Sequence, residues 1–174
     1  MKPLSPDTAL QRAAARCASQ ECCLSEIRSL LVRWGIDPNA TEKILLRLER
    51  EGYIDESRYA RAFVHDRVLY QRWGRLKIGA ALRQKRISEG DIRVALSEIK
   101  ETDYLAGLRH ILTAKRRTLV GQEPRKIREK LARFALSRGF EAGLVFDHVE
   151  QCVDEDAEES NISKNTNKND VVLS

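Results

Sequence analysis

Apolar residues return every three or four positions along most of the chain, and that spacing predicts helices. Ile27, Leu30, Leu31 and Trp34 fall on one helical face, as do Ile44, Leu45 and Leu48. Tyr59, Ala62 and Phe63 open a third stripe, and Ile78, Ala81 and Leu82 a fourth. Leu105, Leu108, Ile111 and Leu112 follow, then Ile127, Leu131 and Phe134, and finally Leu144, Val145 and Val149. No stretch alternates with the period of two expected of a half-buried strand, and Val171-Val172-Leu173 is too short for one. The expected fold class is all-α.

Local punctuation agrees. Ser5-Pro6 and Asp37-Pro38 each set a capping side chain before a proline at the first helical position, where the missing N–H costs nothing. Glu123-Pro124 is a weaker start of the same kind, and Ser88-Glu89-Gly90-Asp91 reads as a capping box. Gly35-Ile36, Gly52-Tyr53 and Gly139-Phe140 place a residue free to take positive φ before one that folds back on the helix.

The pieces recur. Ile27, Leu31 and Gly35-Ile36 return 51 residues later as Ile78, Leu82 and Arg86-Ile87, and more loosely as Ile127, Leu131 and Gly139-Phe140. Each copy has a helix before it and a short helix after it. Tandem three-helix repeats in which neighbours bury one another's faces follow from this. The predicted units are 1–53, 54–101 and 102–153. From Asp154 the pattern stops, and the acidic, asparagine-rich segment 154–174 is expected to be a disordered tail.

Charge adds a partner class. The net charge is +5, but six acids against two lysines give the tail −4, leaving +9 over Met1–Val153. Arg67, Arg72, Arg75, Lys77, Arg83, Lys85 and Arg86 lie in a stretch without an acid, with Tyr70 and Trp73 among them. A second run holds Arg109, Lys115, Arg116, Arg117, Arg125, Lys126, Arg128, Lys130, Arg133 and Arg138 against Glu123 and Glu129. Cations this dense repel one another unless a polyanion or an acidic protein surface lies nearby, and an aromatic ring among them suits a base. The bland alternative for such runs is a solvated helix face.

Candidate catalytic chemistry is thin. The sequence holds no glycine-rich phosphate loop, no HExxH and no GxSxG. His65, His110 and His148 each sit within helical pattern, and none is a near neighbour of Cys17, Cys22 and Cys23, which read as small buried residues of the first helices; with Cys152 they show no CxxC. The expectation is a protein without enzymatic activity, cofactor or metal, acting in the cytoplasm as a monomer and without a membrane span.

Between residues 47 and 87 the chain carries a longer pattern. It comprises Arg47-Leu48-Glu49, Gly52-Tyr53-Ile54-Asp55-Glu56, Arg58-Tyr59-Ala60, Phe63-Val64 and Arg67, then Gly74, Ile78, Leu82 and Arg86-Ile87. This closely resembles the RecX family of regulators of the bacterial recombinase RecA, with a weaker match over roughly 10–152. The resemblance implies an elongated, curved array of three-helix units that binds the RecA filament on single-stranded DNA. It implies inhibition of RecA's ATPase, recombinase and co-protease activities, and leaves open whether the single-stranded DNA itself is contacted directly. The family fixes no contact residues by motif. The candidates are therefore the basic residues above, from Arg67 to Arg86 and from Lys115 to Arg133, with Arg75, Lys77, Arg83 and Lys85 foremost.

Within the pattern, Gly52 and Asp55 read as caps and Tyr59 and Phe63 as core, with Tyr53 and Ile54 packing between repeats and Arg58 pairing with Asp55. Members of the family usually carry glycine where Arg86 stands, so the second repeat must end its helix there at a cost of about 1 kcal/mol. The rival is a winged-helix transcriptional regulator, which needs a β-hairpin after Tyr53.

Overall fold

The computed structural model describes residues 4–153, and over them the chain is helical throughout, without a strand. The helices are α1 (Pro6–Ser19), α2 (Leu24–Arg33), α3 (Pro38–Arg50), α4 (Glu56–Leu69), α5 (Arg75–Gln84), α6 (Glu89–Ser97), α7 (Glu101–Arg116) and α8 (Pro124–Ser137). A 3-10 turn, Arg117–Leu119, extends α7, and α9 covers 142–153. They follow in threes, in the order that the apolar pattern predicts. The winged-helix alternative fails here. After Tyr53 the chain enters α4, with Asp55 accepting the Arg58 N–H at 2.9 Å, so no hairpin follows. The expectation for the 154–174 tail lies outside the described residues.

The predicted caps form. Ser5 accepts the Thr8 N–H at 3.3 Å and Asp37 the Ala40 N–H at 3.0 Å, with Pro6 and Pro38 opening their helices. Ser88 accepts the Asp91 N–H at 3.0 Å, and its hydroxyl donates to the Asp91 carboxylate at 2.6 Å. Pro124 opens α8 without a side-chain cap from Glu123.

By compactness the helices group into two units. Among the described residues, one comprises 4–67 together with Ile78–Ile99; the other comprises Val68–Lys77 and 100–153. Helices α4 and α5 therefore begin or end in different units. The boundaries at 53/54 and 101/102 belong to the repeating sequence pattern.

In the first unit α1 and α2 both pack on α3. Ala9, Ala13, Cys17, Cys22, Ile27, Leu31, Leu45, Leu48 and Ile54 build its core. Cys17, Cys22 and Cys23 are the small buried residues expected. Burial, and then the neighbouring Cys22, push the Cys17 thiol up to about 12, which makes it inert at neutral pH. Ile54 is 2% exposed whereas Tyr53, expected to pack between repeats, keeps 36% of its surface in solvent. The turn after Gly52 delivers Ile54, not Tyr53, to the core.

The second unit is built around Tyr104, Leu108, Leu112, Leu131, Phe140 and Val145, all nearly or fully buried. The Tyr104 and Phe140 rings lie 5.0 Å apart. The segment leading into α5 is bonded to the end of α8. Gly74 N–H donates to the Arg138 carbonyl at 2.8 Å and Leu76 N–H to the Gly139 carbonyl at 3.1 Å.

Arg86 adopts the left-handed conformation that its position demands, at φ 64°. Its N–H donates to the Arg83 carbonyl at 2.9 Å and that of Ile87 to the Leu82 carbonyl at 3.2 Å, the same pair of bonds that Gly52 and Tyr53 make at the end of α3. Burial of Ile87 holds an unfavourable arginine in place. Substituting Arg86→Gly removes the Cβ strain but adds freedom to the unfolded chain. The expected net gain is about 0.5–1 kcal/mol, read as a higher urea midpoint at unchanged slope. A lower midpoint would mean that the arginine side chain contributes more than its backbone costs.

Candidate partner-binding surfaces

The basic residues divide between those that hold the fold and those that face solvent. In the first unit, Lys85 follows α5 and its Nζ is bonded to the Glu26 carboxylate of α2. The Tyr59 hydroxyl of α4 donates to the same oxygen at 3.0 Å. Lys85 is thus an internal tie between three elements. Arg83 grips Glu89 with two bonds, at 2.6 and 3.0 Å, and the Arg67 guanidinium lies 4.5 Å from the Phe63 ring centroid. Arg86 is exposed.

Burial alone would raise the Glu26 carboxyl, but the bonds from Lys85 and Tyr59 outweigh it and hold the group below the ordinary carboxylate value. A depressed folded-state value means that the unfolded chain takes up the proton more readily. The stabilisation is therefore complete above the unfolded value and is lost as pH falls through the folded one. Between about pH 5 and pH 3, the urea midpoint of the wild type is expected to fall more steeply than that of a Glu26→Gln variant. Parallel decline of the two would show that this tie contributes nothing.

Arg75 of the second unit is likewise committed. Its backbone N–H donates to the Tyr104 hydroxyl at 2.9 Å, and its guanidinium reaches Glu101 at 2.5 Å and Glu141 at 3.2 Å. It also lies 4.0 Å from the Tyr104 ring centroid, while Tyr104 donates to Glu141 at 2.6 Å. The four residues that the sequence puts foremost are therefore unequal. Arg75 and Lys85 join elements of the fold, Arg83 closes a local turn, and Lys77 lies over the Trp73 ring at 4.4 Å.

Farther along, Arg125 pairs with Glu129 at 3.2 Å, Lys126 with Glu123 at 3.4 Å and Arg128 with Glu150 at 2.9 Å. Lys130 donates to Gln122 at 2.7 Å. Exposed pairs of this kind contribute 0–1 kcal/mol and exchange readily for another anion. Arg117 and Arg133 are exposed, while Arg72, Lys115 and Arg116 are half-buried. The second unit thus presents cations from its 70s turn, from the end of α7 and from α8. The sequence put them in separate runs, and the fold brings them into one unit.

Arg58, expected to pair with Asp55, does so only at 3.9 Å, and its strong bond goes to Glu21 at 2.6 Å. His65 is solvent-exposed beside Asp66 at 3.5 Å, and His148 Nδ1 is bonded to the Leu144 carbonyl at 2.8 Å. Among the described residues no group of His, Cys, Asp and Glu converges on a metal-sized site, and no helix is long and apolar enough to cross a membrane.

Comparison with known proteins adds a family to this geometry. A family model described as RecX, second three-helix domain, matches residues 55–96. A protein named Regulatory protein RecX from Halorhodospira halophila (strain DSM 244 / SL1) is 35% identical over 130 residues, covering 74% of this chain and 78% of that one. One of the same name from Streptococcus pneumoniae (strain Hungary19A-6) is 25% identical over 147 residues, which are 82% of this chain and 56% of that longer protein. Among solved structures, a crystal structure of regulatory protein RecX has a TM-score of 0.76 at 23% identity, covering 84% of this chain and 71% of that one. That last likeness is one of fold.

Proposed function

Because this chain belongs to the RecX family of regulatory proteins, we propose that it binds the RecA filament on single-stranded DNA and lowers RecA's ATPase, recombinase and co-protease activities. It acts by contact rather than by chemistry, as a cytoplasmic monomer whose three repeats span 1–53, 54–101 and 102–153. The observation that carries this reading is the solvent-facing basic set. Arg86, Arg117, Arg125 and Arg133 are exposed on a body of net charge +9, and a nucleoprotein filament is the polyanionic surface that such a body meets with gain. The internal pairs of Arg75 and Lys85 leave these outer cations to do the recognition.

The test is RecA's DNA-dependent ATPase, with and without this protein, at two salt concentrations. The expected result is a dose-dependent fall in hydrolysis that weakens as salt screens the contact. Unchanged hydrolysis at every concentration and at both salts would remove the assignment to RecA while leaving the fold and the family as they are.

A further inference from the structure

The second unit holds a cavity of about 360 Å³ that the reading above does not use. It lies between the turn after α4, the last turns of α7 and the face of α8, and its walls include Tyr70, Arg72, His110, Lys115, Phe134 and Arg138. None of its lining residues is acidic. Tyr70 keeps 76% of its surface exposed.

The turn carrying this ring is held in place rather than loose. The Arg138 guanidinium donates to the Gln71 carbonyl, and the Arg138 carbonyl accepts from Gly74 N–H at 2.8 Å. Between these anchors Arg72 takes φ 51°, a left-handed conformation that costs a non-glycine residue about 1–2 kcal/mol. Strain of this kind persists where the surroundings over-determine it, and it gathers at binding sites. On the opposite wall the Lys115 ammonium sits 5.5 Å from the Phe134 ring centroid. Arg116 and Arg117 follow it in the chain.

We propose that this cavity takes one unpaired nucleotide of a single-stranded nucleic acid, its base stacked on Tyr70 and its flanking phosphates held by Arg72 and Lys115. An exposed aromatic ring ringed by cations matches a base joined to phosphates, because every base offers a π-face and every linkage an anion. Duplex DNA hides that face inside its stack, so the single strand is the occupant. The cations Arg116 and Arg117 next in the chain suit a continuing phosphodiester backbone rather than a lone anion. The proposal deepens the functional reading, in that the DNA of the filament is then touched directly by this chain.

The experiment uses the full chain without RecA, so its outcome is independent of whether RecA is the partner. Binding is read by anisotropy of a short fluorescein-labelled oligothymidylate. It is compared with the same strand in a duplex and with an abasic strand of equal length and charge. The intact strand is expected to bind at least about fivefold more tightly than the abasic one, and Tyr70→Ala to remove that advantage. Tyr70→Phe, which keeps the stacking face, is expected to retain it. Because Tyr70 is exposed, both variants should keep the wild-type circular dichroism spectrum. Equal affinity for intact and abasic strands, or an unaltered advantage in Tyr70→Ala, would overturn the proposal and leave a polyelectrolyte contact alone. Preference for the duplex would overturn it too. So would Tyr70-dependent binding of an acidic peptide by a chain that ignores the single strand, since the occupant would then be a protein.

Discussion

Substituting Gly74→Ala is expected to destabilise the second compact unit by about 3 kcal/mol or more. A Cβ built on Gly74 lies 2.0 Å from the Gly139 carbonyl oxygen, 2.1 Å from its carbon and 2.2 Å from the Phe140 nitrogen. All three are backbone atoms, so no rotamer change relieves the clash. Nor can the two segments draw apart cheaply, because the hydrogen bonds from Gly74 and Leu76 hold them together and Phe140, beside the contact, is buried against Tyr104. Gly139 offers no escape either, since its own Cβ would sit 2.3 Å from that of Lys77 and its φ is 87°. A loss of this size lowers the melting temperature by roughly 6–12 °C for a chain of this length. Gly107→Ala is the matched control. Gly107 lies inside α7 with nothing within 4 Å of its added Cβ, so a gain of up to about 1 kcal/mol is expected from helix propensity. A melting temperature for Gly74→Ala equal to that of the wild type would show that the close crossing of these segments is absent.

Removing four outer charges together, by Arg86→Gln, Arg117→Gln, Arg125→Gln and Arg133→Gln, is expected to weaken inhibition of RecA by more than about tenfold at low salt. Each lost contact with a polyanion costs on the order of 0.5 kcal/mol or more, and 1.4 kcal/mol is a factor of ten. Helicity should not change, because all four side chains are exposed. Raising salt should weaken the wild type more than the variant, which has fewer charges left to screen. Arg75→Gln is the instructive contrast. It strips a guanidinium from Glu101 and Glu141, so its first effect is on stability, by about 1–3 kcal/mol. The same exchanges at Arg12, Arg16 and Arg28 should matter less to inhibition, since the first repeat has mixed charge. Arg28, for one, is already bound by Glu42. Equal inhibition by the wild type and the four-charge variant at both salts would move the interface elsewhere.

Helices, their starts and their order were legible in the sequence because each depends on residues within a few positions of one another. Ser5, Asp37 and Ser88 cap as read, and Arg86 takes the left-handed turn that its place in the repeat requires. What was not legible depends on residues far apart in the chain. Arg75 and Lys85 look like surface cations until Glu141 and Glu26 arrive from 66 and 59 residues away. Arg58 exchanges its neighbour Asp55 for Glu21 for the same reason. The grouping of Tyr70, Lys115 and Arg138 in one cavity follows from the crossing of Gly74 over Gly139, and no spacing rule foretells a contact between those two glycines. Gly74 was visible in the family pattern and Gly139 as a helix end; that the two meet was not.

Co-sedimentation with RecA filaments formed on single-stranded DNA tests the central claim most directly, with the chain labelled at a surface site and the filament pelleted at low salt. The prediction is that the chain pellets with the filament, stays in the supernatant without it, and is released as salt rises. A folded chain that remains in the supernatant at low salt, however much filament is present, would contradict it.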